Sequence, residues 1–361
     1  MKKRFLLITV CLLISALMVS ALAAGGSDDS LVSLSYLTDV FTKSVDQKVE
    51  EKLDASDALL SGNTAETASA ISKNWAEARL KFQDVLLGTT GTSVMVLAGS
   101  AEVSFPSGTV VDVTTGTAVV SGTALAANHR YMVAEDTSAL FQITSKTAVV
   151  DYQGTYSFSY SDAVDYNAIA AALKTMHLFK GSFTGYGQGY DLEVAPTRLQ
   201  ALIMFIRVLG EEDEALSYTG SHPFTDIAKG TQADKYVGYA YAKGYTNGYS
   251  ANTFRPSQAI PANQYVEFIL RAMGFSSSAN TTVSDALERA LSSGILTDGA
   301  YAMLKAGTFL RADLVYVSYY ALDTPMAQGG QTLRDVLLEC GVFTAAESRE
   351  TDRMVPSARK S

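Results

Sequence analysis

Two arginines stand where their chemistry would count. Aligned on Arg198, Ala262 and Arg311, the chain repeats one pattern three times. Apolar residues follow four, eight and eleven positions on: Leu202, Ile206 and Leu209; Val266, Leu270 and Met273; Val315, Tyr319 and Leu322. Gly210, Gly274 or Asp323 comes next. That is the same apolar face on three helices of equal length, with Arg198 and Arg311 on the first turn. A guanidinium there can fork onto a carboxylate through two hydrogen bonds. A helix N-terminus adds free N–H groups and partial positive charge. Thr197 is a good cap and Pro261 a good residue to open on. The helix dipole disfavours a cation at that end, so an arginine twice in one repeat position is either a solvated first-turn residue or a site for an anion. Ala262 leaves the middle position degenerate or suited to a different ligand.

Other chemistries find little support. Lys plus Arg count 28 against 37 Asp plus Glu, a net charge of −9, which argues against nucleic acid. Three His and two Cys, scattered along the chain, offer no local metal cluster or thiol nucleophile, and no cofactor is implied. Glu211-Glu212-Asp213-Glu214 reads as a solvated surface run rather than a catalytic pair. Gly185 to Tyr190 lacks a preceding strand and a following Lys-Ser/Thr, so it reads as a loop, not a phosphate cradle. Arg255 reads as a loop brace, and Arg207 and Arg271 as solvent-facing or inter-unit residues. The expectation is a non-enzymatic protein.

Elements must position those arginines. Lys2-Lys3-Arg4, an apolar run from Phe5 and Ala21-Leu22-Ala23 form a secretory leader, residues 1–23; an uncleaved anchor is the alternative. Its removal would take the charge to −12, by loss of three basic residues, and leave Cys340 alone, so no internal disulfide could form. An exported protein held by packing alone fits a Gram-positive surface. Residues 24–88 are read as a helical hairpin: Leu34 to Leu53 in one helix, then Ile71, Trp75, Ala78, Phe82 and Val85 in another, with Trp75 in the core. Residues 89–160 turn to period two (Val94/Val96, Val111/Val113, Tyr131/Val133, Phe141/Ile143), predicting a small antiparallel sandwich or barrel, with His129-Arg130 at a strand edge. Residues 161–346 are helical and hold three units, about 163–217, 218–277 and 278–345, with a trailing half-unit. Shorter first helices end at His177, Gly244, Gly294 and Gly341. Such units must pack on one another, and three can close into a pseudo-threefold domain with the second helices central. Residues 347–361 are polar and read as a disordered tail. The fold class is α+β and multidomain.

The second unit carries a resemblance. Phe224-Thr225-Asp226, then Tyr236 through Gly244-Tyr245-Thr246-Asn247-Gly248, then Thr253-Phe254-Arg255-Pro256 is similar to an S-layer homology repeat. That family's motif runs from F-x-D through a G-x-x-x-G turn and an F-x-P loop to a helix opening T-R-A-E. Thr197-Arg198-Leu199-Gln200 and Leu310-Arg311-Ala312-Asp313 resemble that opening. Pro261-Ala262-Asn263-Gln264 departs from it, and the third unit lacks the F-x-P loop. The resemblance covers about half the chain. It implies non-covalent attachment at the bacterial cell wall, with an anionic secondary cell-wall polysaccharide, often pyruvylated, or a peptidoglycan-linked glycan in grooves between units. Carried over position by position, the site draws on Thr197, Arg198, Gln200, Arg311 and Asp313, with Asn247 and Gly248 in the turn. An anchored carbohydrate-active enzyme, or contact between surface proteins, are the alternatives. The glycan's identity, the oligomeric state and the β-module's role stay open.

Overall fold

The computed structural model describes residues 70–181, 191–275 and 283–361. The expected leader, the Leu34–Leu53 helix and the Gly185–Tyr190 loop lie outside the described residues. Ten strands come first: β1 (Ala70–Lys81), β2 (Val85–Thr89), β3 (Ser93–Ala98), β4 (Ala101–Ser104), β5 (Val110–Asp112), β6 (Thr117–Val119), β7 (Thr123–Ala124), β8 (Arg130–Val133), β9 (Ser138–Ile143) and β10 (Thr147–Ser159). Helices follow: α1 (Tyr166–Thr175), α2 (Arg198–Val208), α3 (Glu212–Ser217), α4 (Gln232–Ala242), α5 (Ala262–Ala272), α6 (Ala286–Ser292), α7 (Asp298–Ala306), α8 (Arg311–Ala321), α9 (Leu333–Glu339) and α10 (Ala345–Met354). None of the described helices is long and apolar enough to cross a membrane.

The strands form one antiparallel, barrel-like sheet in the order β6-β5-β8-β3-β10-β2-β9-β4-β7, with β1 also on β10. Its long strand β10 pairs with β1 over most of its length, with β3 through Val149–Gln153 and with β2 through Tyr156–Ser159. Gly154, at φ +114°, permits this: a Cβ there would meet the Thr92 Cα at 2.7 Å. The alternation Val94/Val96, Tyr131/Val133 and Phe141/Ile143 points inward, each residue at most 2% exposed. At β5 the phase differs from expectation, since Val110 and Asp112 face inward and Val113 is exposed. Asp112 is held there by its hydrogen bonds from Thr114 N and His129 Nδ1.

The expected second helix of the 24–88 region is instead β1 and β2, so the helical reading is corrected. Three- and four-residue spacing is not unique to helices. Here Ala76, Ala78 and Leu80 alternate with Glu77, Arg79 and Lys81, a period of two that fits a strand. A tight turn, with Gln83 at φ 65°, breaks the run, and Asp84 closes it by accepting from Lys81 N and Lys81 Nζ at 2.9 Å each. Trp75 therefore lies 41% exposed rather than in a core.

In the helical part, α2, α5 and α8 begin at the three aligned residues and each has eleven. Each touches the other two. The Tyr265 and Ser318 hydroxyls meet at 2.6 Å, and the Phe205 and Phe268 rings lie 5.5 Å apart. His177, Gly244, Gly294 and Gly341, all at positive φ, end the first helices as expected. In the third unit α7 occupies the place of the missing F-x-P loop. Tyr236 and Tyr265 are buried, whereas Tyr241 is 40% exposed against the edge of Phe224.

Two polar segments are more engaged than their composition implied. The tail is not disordered: a Thr344–Glu347 capping box opens α10, and Thr351 is buried beside Met176. Beyond it, Arg359 lies over the Tyr320 ring and donates to the Ile295 carbonyl, while Lys360 N donates to the Tyr316 hydroxyl. In the second unit Arg271 reaches the matching carbonyl, of Tyr245, from its own helix. Tyr320 stands at that position in the third unit, so the tail supplies the missing guanidinium. In the acidic run, Glu211 accepts from Tyr245, and Glu212 accepts from Tyr236, Arg207 and Lys180. These two acids peg the first unit to the second; only Asp213 and Glu214 are exposed.

Two predictions follow from this packing. A Cβ on Gly248 (φ +83°) would sit 2.2 Å from Phe224 Cε1 and 2.7 Å from the Ser250 carbonyl oxygen, whereas one on Gly244 (φ +76°) meets nothing. Gly248→Ala should cost about 3 kcal/mol in denaturant unfolding, and Gly244→Ala about 1 kcal/mol. Burial alone would raise the Glu212 carboxyl, but its hydrogen bonds from Lys180, Tyr236 and Arg207 hold it down at about 2, below its ordinary 4.5. Its contribution to stability is complete above pH 4.5 and is lost as pH falls toward 2. Glu212→Gln should flatten the acid side of a stability–pH curve over that window.

Candidate functional site

The opening turns of α2 and α8 differ from the expected anion cradle. Arg198 N and Leu199 N donate to the Gln258 and Pro256 carbonyls of the second unit's loop, at 2.8 and 3.1 Å. Arg311 N and Ala312 N donate in the same way to Val194 and Leu192 of the first unit's loop, at 3.0 Å each. The backbone N–H groups read as free are thus taken by the neighbouring unit. Thr197 and Gln200 close a capping box, Thr197 N donating to Gln200 Oε1 and Gln200 N to Thr197 Oγ1. What these N-termini leave for a ligand is side chains.

Arg198 is 6% exposed, its guanidinium centre 5.0 Å from the Phe254 ring and 5.6 Å from the Phe268 ring. Nη2 donates to the Gly248 carbonyl at 3.1 Å, Nη1 donates to Gln264 Oε1, and Nε has no partner. Among the described residues no carboxylate pairs with it. Burial first, then the nearby Arg271 charge, bring its pKa down to about 10, against a smaller upward pull from Tyr249. It is still a cation at neutral pH, and a desolvated one without a counter-charge. Such a charge is costly to bury, and an incoming anion would offset much of that cost.

Arg311 is placed otherwise. It is 3% exposed, and Nη1 meets Asp191 Oδ2 at 3.3 Å, with Asp191 itself 2% exposed. Asp313, 1% exposed, accepts from Leu310 N at 3.0 Å and from Lys146 Nζ, which reaches it from the β9–β10 turn. The structure therefore sets the Thr197–Gln200 opening of α2 against the Asn247–Gly248 turn of the second unit, through Arg198 on the Gly248 carbonyl. Arg311 and Asp313 stand apart, already neutralised from within the chain.

Several residues of the groove were not foreseen. Gln264 occupies the repeat position of Gln200 and Asp313, so the alignment already contained the signal. Phe254 and Phe268 are core residues by pattern, and no spacing marks them as faces for a guanidinium. Arg255, at φ 61°, does brace the loop through its backbone, donating to Asp226 at 2.7 Å. Its side chain also stacks 3.6 Å over the exposed Tyr249 ring. Arg207 and Arg271 are not solvent-facing; each is paired, with Glu212 and Glu267.

Three comparisons bear on this geometry. No functionally curated protein matches the sequence. Among solved structures, two of ToxT from Vibrio cholerae align at 11% and 12% identity with TM-scores of 0.11 and 0.12. One covers 79% of this chain and 97% of its own, and the other 82% and 100%. Likeness at that level carries no argument. The family model described as the S-layer homology domain matches residues 223–260, from the start of the second unit to the loop that carries Arg255 and receives the α2 N–H groups. The chain thus contains an S-layer homology domain, which implies a cell-surface protein attached to the cell wall.

Proposed function

We propose that this protein is an exported, non-catalytic anchor that holds an anionic secondary cell-wall polysaccharide, or a peptidoglycan-linked glycan, in the groove at Arg198. One observation carries the reading: a buried guanidinium with no carboxylate partner among the described residues, beside a turn that the S-layer homology match covers. A carboxylate on the polymer would supply the counter-charge that Arg198 lacks among the described residues. Asn247, Tyr249 and Gln200, near Gly248 and Arg198 in sequence, are exposed and available to a glycan. The Arg311 position is spoken for by Asp191 and Lys146, and the middle unit has Ala262, so the protein binds one acidic group per chain. With a charge of −9, or −12 once Lys2, Lys3 and Arg4 leave with the leader, it gains nothing from long-range attraction to an anionic polymer, so affinity rests on this local site. Export through the residue 1–23 leader, with cleavage near Ala23, places it outside a Gram-positive cell.

The test is co-sedimentation of the full chain with Gram-positive cell walls, beside walls stripped of their secondary polymer. Arg198→Ala should weaken binding by at least about tenfold, the scale of one charged hydrogen bond, with its unfolding midpoint checked in parallel. Arg198→Lys should not restore it, because a point charge lacks the fork. Arg311→Ala should lower stability by about 3 kcal/mol by removing the guanidinium that meets buried Asp191, while a folded sample keeps its wall binding. Equal sedimentation of Arg198→Ala and the parent would defeat the reading and move weight to a protein partner.

A further inference from the structure

The β-domain carries a second site of different chemistry. Glu77, Asp151, Met95 and Arg130 are directly opposed, pair by pair, across β1, β10, β3 and β8. Directly opposed residues project to one side of a sheet. Their sequence neighbours Val94, Tyr131 and Val150 fill the core at 1–2% exposure, so this row lies on the outer face. Beside it is Trp75, 41% exposed, with the Arg130 guanidinium 5.4 Å from its ring centre. Arg130 is itself fixed, Nε and Nη2 both donating to Ser93 Oγ at 3.3 and 3.0 Å, and Nη1 has no hydrogen-bond partner among the described residues.

From this arrangement we infer that the outer face of the β-domain binds a neutral glycan, stacked on Trp75 and hydrogen-bonded between Arg130 and Asp151. An indole held half out of water by a fixed guanidinium is an apolar plate with a polar edge. The C–H face of a sugar ring fits the plate, and its hydroxyls fit the edge, accepting from Arg130 Nη1 and donating to a carboxyl. Asp151 offers that carboxyl: it makes no side-chain hydrogen bond or ion pair among the described residues. Burial first, and then the Glu77 charge, raise its pKa, which marks it as poorly solvated. Glu77 is bonded to Arg79 at 3.0 Å. Asp151 selects by charge, since an acidic group set against its carboxyl would be repelled. The site thus complements the Arg198 groove, which takes an anion, and it does not depend on the reading of that groove.

Trp75 is the sole tryptophan of the chain, so its emission reports this face alone. The full chain would be titrated with chitotetraose, with cellotetraose and with the acidic tetramer of galacturonate. The expected result is a saturable emission change with at least one neutral tetramer and none with the acidic one. Arg130→Ala and Asp151→Ala, which retain the tryptophan, should each weaken it by about tenfold or more. Both should leave the unfolding midpoint and wall sedimentation near those of the parent. Absence of a saturable change with either neutral tetramer up to about 10 mM would overturn the proposal. So would a response that survives both substitutions, or an equal response to galacturonate. A blue-shifted emission that iodide cannot quench in the free protein would mean that another segment covers the face, and would overturn it as well.

Discussion

The helical domain depends on one kind of contact: the first N–H groups of a second helix donating to loop carbonyls of the next unit. A lone helix pair has an apolar face it cannot cover and, at each helix start, N–H groups it cannot satisfy. Here one unit answers both needs of its neighbour. The second unit's loop caps α2, and the first unit's loop caps α8, so the first and third units are joined by the same stitch as the first and second. That stitch brings the Gly248 carbonyl and the Gln264 side chain against Arg198. It also explains why glycine is required at 248, where Phe224 and two carbonyls crowd the backbone.

The same arrangement has opposite electrostatic outcomes at its two arginines. Around Arg311 the first unit's loop places a buried aspartate, and the β-domain adds Lys146 to Asp313, so charge is balanced within the chain. Around Arg198 the second unit's loop places only carbonyl, amide and aromatic groups. Aromatic faces and neutral acceptors can hold a guanidinium in position, but they do not neutralise it. One arginine is therefore neutralised within the chain, while the other has no counter-charge among the described residues. The β-domain takes part in that division, since its turn occupies the third unit's helix opening.

Much of the helical domain was legible in the sequence. The start of α2, α5 and α8, their equal length and the left-handed stops at Gly244, Gly294 and Gly341 all follow from a repeat, which averages local ambiguity over three copies. Where only one copy exists the reading was poorer. The Ile71–Val85 stretch satisfies helical spacing by coincidence across a hairpin turn, and its strand identity is set by pairing with β10, a partner far along the chain. The tail's order depends on Tyr316, Tyr320 and the 294–297 turn, none of which is adjacent in sequence. At the site, Arg198 and the turn at Gly248 were readable from the motif. That its twin Arg311 is already paired was not: Asp191 shares the repeat position of Arg255, seven residues before a second helix, with the opposite charge, and Lys146 comes from the β-domain.

The most direct test of the unpaired cation is the Arg198 Nε–H resonance in a nitrogen–proton spectrum of the full chain, assigned by its loss in Arg198→Lys. A carboxylate-bearing fragment of the secondary wall polymer is titrated in. The account predicts that this resonance moves downfield and saturates, while those of Arg207 and Arg271, already bonded to glutamates, stay in place. A fragment that binds and shifts only exposed arginines such as Arg255, with the Arg198 Nε–H unmoved, would contradict it.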